Sequence, residues 1–236
     1  MELLTDKERI LDLENEVEKL NKKVEKLHKQ MDALIFGIGT IVESRDMSTG
    51  HHVFRTSRCV SVFVDKLLEL NFPDIDIKIA KNIVKAAPLH DIGKIAVTDS
   101  ILKKNGRFTP EEFEKMKAHA EAGGRMAYMV LSDIPDERFV LIATNIALYH
   151  HERWDGDGYP KGLSGKEIPL EARIMALADV FDALVSKRCY KESLSFDDAF
   201  FIIRSSIGTH FDPELGEIFL SCRPQLEELY TELFNE

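Results

Sequence analysis

The chain has 236 residues, 44% hydrophobic and 31% charged, a composition that predicts a soluble globular protein with one full domain and an appendage. Its net charge of -10 argues against a nucleic-acid polymer as partner. Three widely spaced cysteines indicate neither a disulfide framework nor a zinc knuckle, and no signal peptide or long apolar run is recognisable. We therefore expect a cytoplasmic protein without a membrane segment.

Residues 1–41 predict a separate coiled-coil helix. From Ile10 to Ile41 the apolar residues alternate at steps of three and four for more than four heptads, with valine at a and leucine at d positions. Beta-branched residues at a with leucine at d favour a parallel two-stranded coil, so we predict a parallel homodimer through this segment. The alternative is a long solitary helix that packs on its own domain.

Residues 42–236 predict an all-α domain, because apolar spacing of three to four recurs and no stretch shows the alternation of a strand. Thr109, followed by a proline and two glutamates, predicts a helix start, and so does Asp212 followed by Pro213. The one long irregular segment, 152–168, is rich in Gly, Asp and Pro. Long loops in compact helical domains are usually functional, so we expect this loop to lie over a site.

His90 and Asp91 are adjacent and together offer a nitrogen ligand and a carboxylate that can bridge two metal ions. The dipeptide alone is a weak signal, but five of the eight histidines and two aspartates recur at intervals of about 30 residues near predicted helices. These residues are His52, His90, Asp91, His119, His150, His151 and Asp179. Mixed sets of histidine and carboxylate suit iron, manganese or zinc. Taken singly, His119 also fits a surface position.

Three segments carry a family resemblance: LHDIGKIAVTDSIL, MKAHAEAGG and ALYHHERWDGDGYPKGLSGKEIPLEARIMALADVFDAL. In this order they resemble the HD-GYP family of cyclic di-GMP phosphodiesterases, and the motif HHExWDGxGYP is their most specific element. The match runs from Val42 to Phe219 and leaves the coil outside. It implies an HD-domain helical bundle over residues 42–236 that hydrolyses cyclic di-GMP.

The resemblance also implies two divalent metal ions per chain, preferably iron or manganese. One ion would take His52, His90, Asp91 and Asp179, the other His119, His150 and His151, with Asp91 bridging the two. Family spacing selects His52 rather than His51 as the first ligand. A hydroxide held between the ions would be the nucleophile, with Asp91 and Lys94 as catalytic residues. Lys94 would hold a non-bridging phosphate oxygen; the alternative for Lys94 is a surface salt bridge.

Five further residues are implied to bind the substrate: Gly158, Tyr159, Pro160, Arg188 and Lys191. Tyr159 would contact a guanine or a phosphate, whereas the small residues around it are also typical of a simple turn. Arg188 and Lys191 match the family's Arg-x-x-Lys and would grip the phosphates. The alternative for this pair is the preference of a helix C-terminus for cations.

Ser48 stands where some family members carry a glutamate that holds a third metal. We therefore expect a two-metal site and the linear dinucleotide pGpG as product, with slow or absent cleavage to GMP. The alternatives are a cyclic di-GMP receptor that signals through the coil, a nucleotide phosphohydrolase acting on dNTPs or alarmones, and a phosphodiesterase for cyclic GMP-AMP. The intact ligand set with Lys94 favours an enzyme over a receptor, and the GYP loop argues against the dNTP and alarmone enzymes.

Overall fold

The computed structural model describes residues 6–45, 51–187 and 193–235. These residues form ten α-helices and three short 3-10 helices without any strand, which confirms the predicted all-α fold. The α-helices are α1 (Asp6–Glu43), α2 (His52–Glu69), α3 (Ile77–Ala86), α4 (Asp99–Leu102), α5 (Pro110–Leu131), α6 (Glu137–Tyr149), α7 (Leu170–Val185), α8 (Phe196–Ser205), α9 (Pro213–Ser221) and α10 (Arg223–Asn235). The chain divides into two compact units, Met1–Ile35 and Phe36–Glu236.

The first unit is the part of α1 that precedes Phe36. Its heptad positions are between 48% and 56% exposed at Ile10, Leu13, Val17, Leu20, Val24 and Leu27. Pairs of glutamate and lysine four residues apart lie on the face away from this apolar seam and support the helix modestly. Helix α1 continues to Glu43, two residues beyond the predicted end of the coil at residue 41, and the domain boundary stays a prediction. The seam is unburied in the single chain, and the homodimer stays a prediction.

An aromatic cluster forms part of the core of the second unit. Phe219 of α9 packs edge-on against Phe63 of α2, with ring centroids 5.1 Å apart, and against Phe181 of α7, at 5.6 Å. Tyr230 of α10 packs edge-on against Phe181 at 5.2 Å. All four rings are fully buried, and buried aromatic pairs add about 0.5–1.5 kcal/mol beyond their burial. This cluster holds together α2 and α7, the helices that carry His52 and Asp179.

Helix starts follow local sequence signals. Thr109 forms the predicted capping box with Glu112, and the Asp212 carboxylate accepts hydrogen bonds from the first backbone amides of α9. Both predicted starts are therefore confirmed. Asp76 caps α3 in the same way, accepting from the amide of Ile79 at 2.7 Å. A side-chain cap of this kind contributes about 1 kcal/mol to stability.

A close approach at Gly93 brings the segment around Asp91 against α5. This segment is not α-helical: Gly93 lies in a 3-10 turn, Ile92–Ala96. A Cβ atom on Gly93 would lie 1.9 Å from the carbonyl oxygen of His119 and 2.4 Å from the amide nitrogen of Gly123. Only glycine fits such a contact, so the residue after the HDI tripeptide determines how near Asp91 comes to His119.

None of the described helices combines the length and the apolarity that a bilayer-crossing segment requires.

Candidate metal centre

The structure brings all seven predicted ligand residues to one place in the second unit. They stand at the start of α2 (His52), between two 3-10 turns (His90 and Asp91), in the middle of α5 (His119), just after α6 (His150 and His151) and in α7 (Asp179). Most of these side chains are buried; Asp91, His151 and Asp179 are partly accessible. Five elements far apart in sequence thus contribute to one polar cluster inside a hydrophobic bundle.

Asp91 belongs to two groups of potential metal ligands. In the first group, His52, His90 and Asp91 place their ligand atoms within 4.8 Å of one another, and in the second Asp91, His119, His150 and His151 do the same. The Asp91 Oδ2 atom lies 3.3 Å from His90 Nε2, whereas Oδ1 lies 3.4 Å from His119 Nε2. One carboxylate oxygen therefore faces each group, as a bridging ligand requires. We call the two groups the first cluster and the second cluster.

Asp179 adds a carboxylate to the first cluster. Its Oδ1 atom lies 3.3 Å from His52 Nε2, and the same nitrogen lies 3.2 Å from His90 Nε2. Two imidazole nitrogens and a carboxylate oxygen point at one small volume. Since one proton cannot serve all three atoms, a divalent cation is the natural occupant of this volume.

Backbone hydrogen bonds orient three of the imidazoles. The Nδ1 atoms of His90, His119 and His150 each donate to a backbone carbonyl three or four residues earlier, at 2.9, 2.7 and 2.9 Å. A carbonyl only accepts, so Nδ1 carries a proton in each ring, and Nε2 is the atom that faces the cluster. This is the arrangement that histidine metal ligands generally show.

Among the buried polar atoms that lack a hydrogen-bond partner in the described part of the chain are three at this site: Asp91 Oδ1, His119 Nε2 and His150 Nε2. A buried polar atom without a partner costs about 1–3 kcal/mol. All three atoms belong to the second cluster, and no donor of the described residues forms a hydrogen bond with any of them. A bound cation would satisfy the three together, so the residues present fit a metal ion.

The protonation states also suit a metal. Burial lowers the pKa of His119, lowers that of His150 to about 3 and lowers that of His151 well below its usual value, so these rings are neutral at pH 7. Burial opposes ionisation of Asp91, but Lys94 and His90 outweigh it and hold the carboxyl pKa well below its usual range. Metal ligands must be deprotonated, as these four are.

His52 differs from the other histidines. Burial opposes its protonation, but hydrogen bonds to Asp179 and Asp182 outweigh burial and raise its pKa to about 10. The proton on Nε2 occupies the position between His52 and Asp179 that a cation would take. Metal binding and this proton therefore compete for the first cluster.

Asp182 contacts the candidate metal centre and was not predicted from the sequence. Its Oδ2 atom accepts a hydrogen bond from His52 Nδ1 at 2.7 Å, while Oδ1 accepts from Arg55 Nε at 2.7 Å and from Ser186 Oγ at 3.1 Å. Such a carboxylate fixes the orientation of a ligand histidine. The signal in the sequence was the spacing of Asp179 and Asp182, which lie three residues apart on one face of α7.

Lys94 reaches the centre from the Ile92–Ala96 turn. Its Nζ atom lies 2.8 Å from Asp91 Oδ2, and the side chain is half-buried. The structure thus places Lys94 beside the shared carboxylate, where an ammonium group offsets negative charge. The surface salt bridge considered as the alternative does not describe this partly buried pair.

The GYP loop, the part of segment 152–168 that contains Gly158, Tyr159 and Pro160, covers the second cluster. The Tyr159 ring lies 4.7 Å from the His151 ring at an angle of 31°, and 6.3 Å from the His119 ring. The buried carboxylate of Glu152 holds the loop, because it accepts hydrogen bonds from the amides of Lys161 at 2.7 Å and Leu163 at 3.0 Å. Glu152 was also missed, although it belongs to the HHE tripeptide.

Gly158 has a packing role in this loop. A Cβ atom there would lie 2.3 Å from the amide nitrogen of Arg153 and 2.5 Å from the Cα atom of Glu152. The missing side chain therefore leaves room for the loop backbone, which is the turn-forming role considered beside substrate approach. Pro160 is partly exposed next to Tyr159. Arg188, Lys191 and Ser48 lie outside the described residues.

The sequence profile of the HD domain family matches residues 48–215. The chain belongs to the HD domain family. The resemblance predicted from its motifs is therefore confirmed.

Relatives of this HD domain carry names of cyclic-dinucleotide phosphodiesterases. A probable cyclic di-GMP phosphodiesterase of Vibrio cholerae is 44% identical over 193 residues, which cover 80% of this chain and 44% of that protein. A 3'3'-cGAMP-specific phosphodiesterase of the same organism is 38% identical over 188 residues, covering 79% of this chain and 34% of that protein. The chain thus spans less than half the length of these relatives.

A solved structure shares the fold of the HD domain. The crystal structure of a cyclic GMP-AMP-specific phosphodiesterase of Vibrio cholerae superposes with a TM-score of 0.56 at 18% identity, covering 84% of this chain and 49% of that chain. At this identity the likeness concerns the fold alone, and it agrees with the helical bundle predicted from the sequence.

Proposed function

We propose that this HD domain hydrolyses cyclic di-GMP with the help of two divalent metal ions. The observation that carries the proposal is the position of Asp91, whose two carboxylate oxygens face two separate ligand clusters. A protein that only binds a dinucleotide has no need of buried acceptor atoms that lack hydrogen-bond donors and could bind a cation. The name of the relative at 44% identity supports cyclic di-GMP as the substrate.

The proposed ligands divide as the clusters do. The first ion would be held by His52, His90, Asp91 and Asp179, and the second by Asp91, His119, His150 and His151. When bound, two such ions lower the pKa of a water molecule and offset the negative charge of the phosphate. Iron and manganese suit this mixture of imidazole and carboxylate in which one carboxylate is shared.

Residues around the clusters would position the substrate. Lys94 lies beside the shared carboxylate and would hold a non-bridging phosphate oxygen as charge develops on it. Tyr159, above the second cluster, would contact a guanine or a phosphate. Arg188 and Lys191 would bind the phosphates. With Ser48 in place of a third-metal ligand, we expect pGpG to be the product.

The test is turnover with defined metals. Apo-protein would be loaded with Fe²⁺ or Mn²⁺, its metal content counted, and cyclic di-GMP added. We expect two metals per chain and release of pGpG. Asp91→Ala should abolish both metal binding and turnover, whereas His51→Ala, at the exposed neighbouring histidine, should change neither. Binding of cyclic di-GMP without cleavage in both metal forms would show that the receptor alternative is correct.

The same assay decides between two related substrates. A relative at 38% identity is named a 3'3'-cGAMP-specific phosphodiesterase, which favours cyclic GMP-AMP as a second candidate. Both dinucleotides would be offered separately and in competition. A kcat/KM for cyclic GMP-AMP that exceeds the value for cyclic di-GMP would transfer the proposal to that substrate. Rapid release of GMP would contradict the product inferred from Ser48.

We further propose that α1 forms a parallel homodimer and that the protein is cytoplasmic. Support for the dimer comes from the half-exposed heptad seam, because such a seam is buried when a second copy of the helix packs on it.

A further inference from the structure

We infer that Glu43, the last residue of α1, and Arg45, two residues after it, are positioning residues for the first cluster. Glu43 holds the backbone of α2 at His52, and Arg45 holds the backbone of the Ile92–Ala96 turn that follows Asp91. The inference rests on the metal centre of the proposed function. We call the two residues the α1 clasp.

Glu43 caps a helix that begins nine residues later. Its Oε1 atom accepts a hydrogen bond from the amide of His52 at 2.7 Å, and Oε2 accepts from the amide of Val53 at 3.2 Å. The N-cap residue of α2, His51, makes no side-chain cap hydrogen bond. The carboxylate, which is 7% exposed, thus serves the first two amides of α2 and also complements the positive end of the helix dipole.

Arg45 holds the end of the turn that carries Lys94. Its Nη1 atom donates to the carbonyl oxygen of Ile95 at 2.8 Å, and Nη2 donates to that of Val97 at 3.3 Å. Nη2 also forms an ion pair with Asp99 at 2.7 Å. Carbonyls at the end of a short helical turn need donors, and a guanidinium group supplies several in a fixed geometry.

Both residues therefore act on backbone that carries site residues. Glu43, His52, Asp91 and Lys94 line one small cavity, together with Pro88 and neighbouring residues of α1 and α2. The backbone of α1 also comes close to the turn before His90, since a Cβ atom on Gly39 would lie 2.3 Å from the Pro88 carbonyl oxygen. A small movement of this end of α1 would change the separation of His52 from Asp91.

The metal affinity of the second cluster serves as the reference for that of the first. His119, His150 and His151 are carried by α5 and by the segment after α6, which the hydrogen bonds of the clasp do not reach. Loss of the clasp should therefore weaken the first metal site more than the second, which shares only Asp91 with it. A merely structural role would lower stability without distinguishing between them.

The experiment titrates apo-protein with Mn²⁺ and measures free and bound metal by electron paramagnetic resonance. The variants are Glu43→Ala, Glu43→Gln, which keeps one accepting oxygen, and Arg45→Gln. We expect two Mn²⁺ sites in the wild type. In Glu43→Ala and Arg45→Gln the affinity of one site should fall by about tenfold or more, and the affinity of the other should fall much less. The Mn²⁺ affinity of the weakened site in Glu43→Gln should lie between the wild-type value and that of Glu43→Ala.

Matched controls are available for both residues. Asp76→Ala removes a carboxylate cap from α3, which contributes no predicted ligand, so it should lower stability without moving either Mn²⁺ affinity. Lys103→Gln removes the other cation paired with Asp99 and should likewise leave both sites unchanged. Circular dichroism would show whether each variant is folded. If Glu43→Ala does not fold, Glu43→Gln tests the role of Glu43 in its place.

The outcomes separate the two proposals. Wild-type Mn²⁺ affinity at both sites of Glu43→Ala and Arg45→Gln would overturn the clasp alone. A loss of Mn²⁺ affinity no greater than that in Asp76→Ala would do the same. Equal weakening of both sites would also overturn it, because the effect would then be a general loosening of the fold. A wild type that binds no Mn²⁺ or Fe²⁺ would overturn the proposed metal centre, and the clasp with it.

Discussion

The carboxylate of Asp182 accepts a hydrogen bond from Nδ1 of His52 at 2.7 Å while it also pairs with Arg55. Fully buried, Asp182 links a predicted metal ligand to a fixed cation. The imidazole is thereby locked with its other nitrogen towards Asp179.

Asp182→Asn should lower metal affinity at the first cluster by about tenfold to a hundredfold, because His52 loses the anion that orients it. Stability should fall by about 3 kcal/mol, since Arg55 is left as a buried charge without its partner. Metal titration and urea denaturation measure the two effects. Asp212→Asn breaks another buried pair, with Arg173, and should reproduce the stability loss with metal affinity unchanged. Similar metal affinity in both variants would contradict the orienting role.

Asp91→Asn should differ from every single histidine variant. Since its two oxygens face different clusters, its loss should reduce the bound metal at both, whereas His119→Ala should affect mainly the second cluster. Elemental analysis at limiting metal would count the ions, with His51→Ala as the exposed control. One full equivalent retained by Asp91→Asn would argue against a shared carboxylate.

Gly93→Ala should destabilise the protein strongly, by about 3 kcal/mol or more, because the added methyl group meets the His119 carbonyl at 1.9 Å. Thermal unfolding would measure the loss. Gly37→Ala is the control: it lies within α1 with no atom near the added Cβ, so it should raise stability slightly, by about 0.5 kcal/mol. A Tm for Gly93→Ala equal to that of the wild type would mean that the turn does not pack on α5 this closely.

Stability should depend on pH through His210. Burial and the nearby Arg153 lower its pKa to about 4, below the value of about 6.5 in an unfolded chain. Between these values the unfolded state binds more protons, so the contribution of His210 to stability is lost as the pH falls from about 6.5 towards 4. Tm measured across this window should fall less steeply for His210→Gln than for the wild type. Parallel curves would show that His210 titrates normally in the fold.

Leu20→Glu should dissociate the predicted homodimer, because it places a charge in the heptad seam at a d position. Light scattering would report a mass near the 26.9 kDa of one chain, in place of twice that mass. Lys22→Glu, at an f position outside the seam, should leave the dimer intact. A wild-type protein that is monomeric at high concentration would favour the solitary helix instead.

Local information in the sequence was sufficient for several features. The helical periodicity of residues 42–236 predicted the all-α fold, and Thr109 and Asp212 predicted two helix starts, because caps and amphipathic faces depend on residues within one or two turns. The seven proposed ligands were also recognisable, since their side-chain chemistry and the HD-GYP motifs are written in residue types and spacing.

Other features depend on contacts between distant segments. Asp182 meets His52 across 130 positions, and Arg45 reaches the Ile95 carbonyl across 50, so no local pattern identifies either pair. The heptad pattern predicts the helix of residues 1–41, and only the structure shows that α1 continues to Glu43 and ends by capping α2.

By itself, then, the sequence determined which groups are present: imidazoles, carboxylates and a lysine in an order typical of the HD domain family. Only the tertiary structure decided which oxygen of Asp91 faces which cluster. The physical reason is that the Ile92–Ala96 turn packs on α5 through Gly93 and is held from the other side by Arg45. These contacts join segments that are far apart in the sequence, so the spacing of residues within a motif does not encode them.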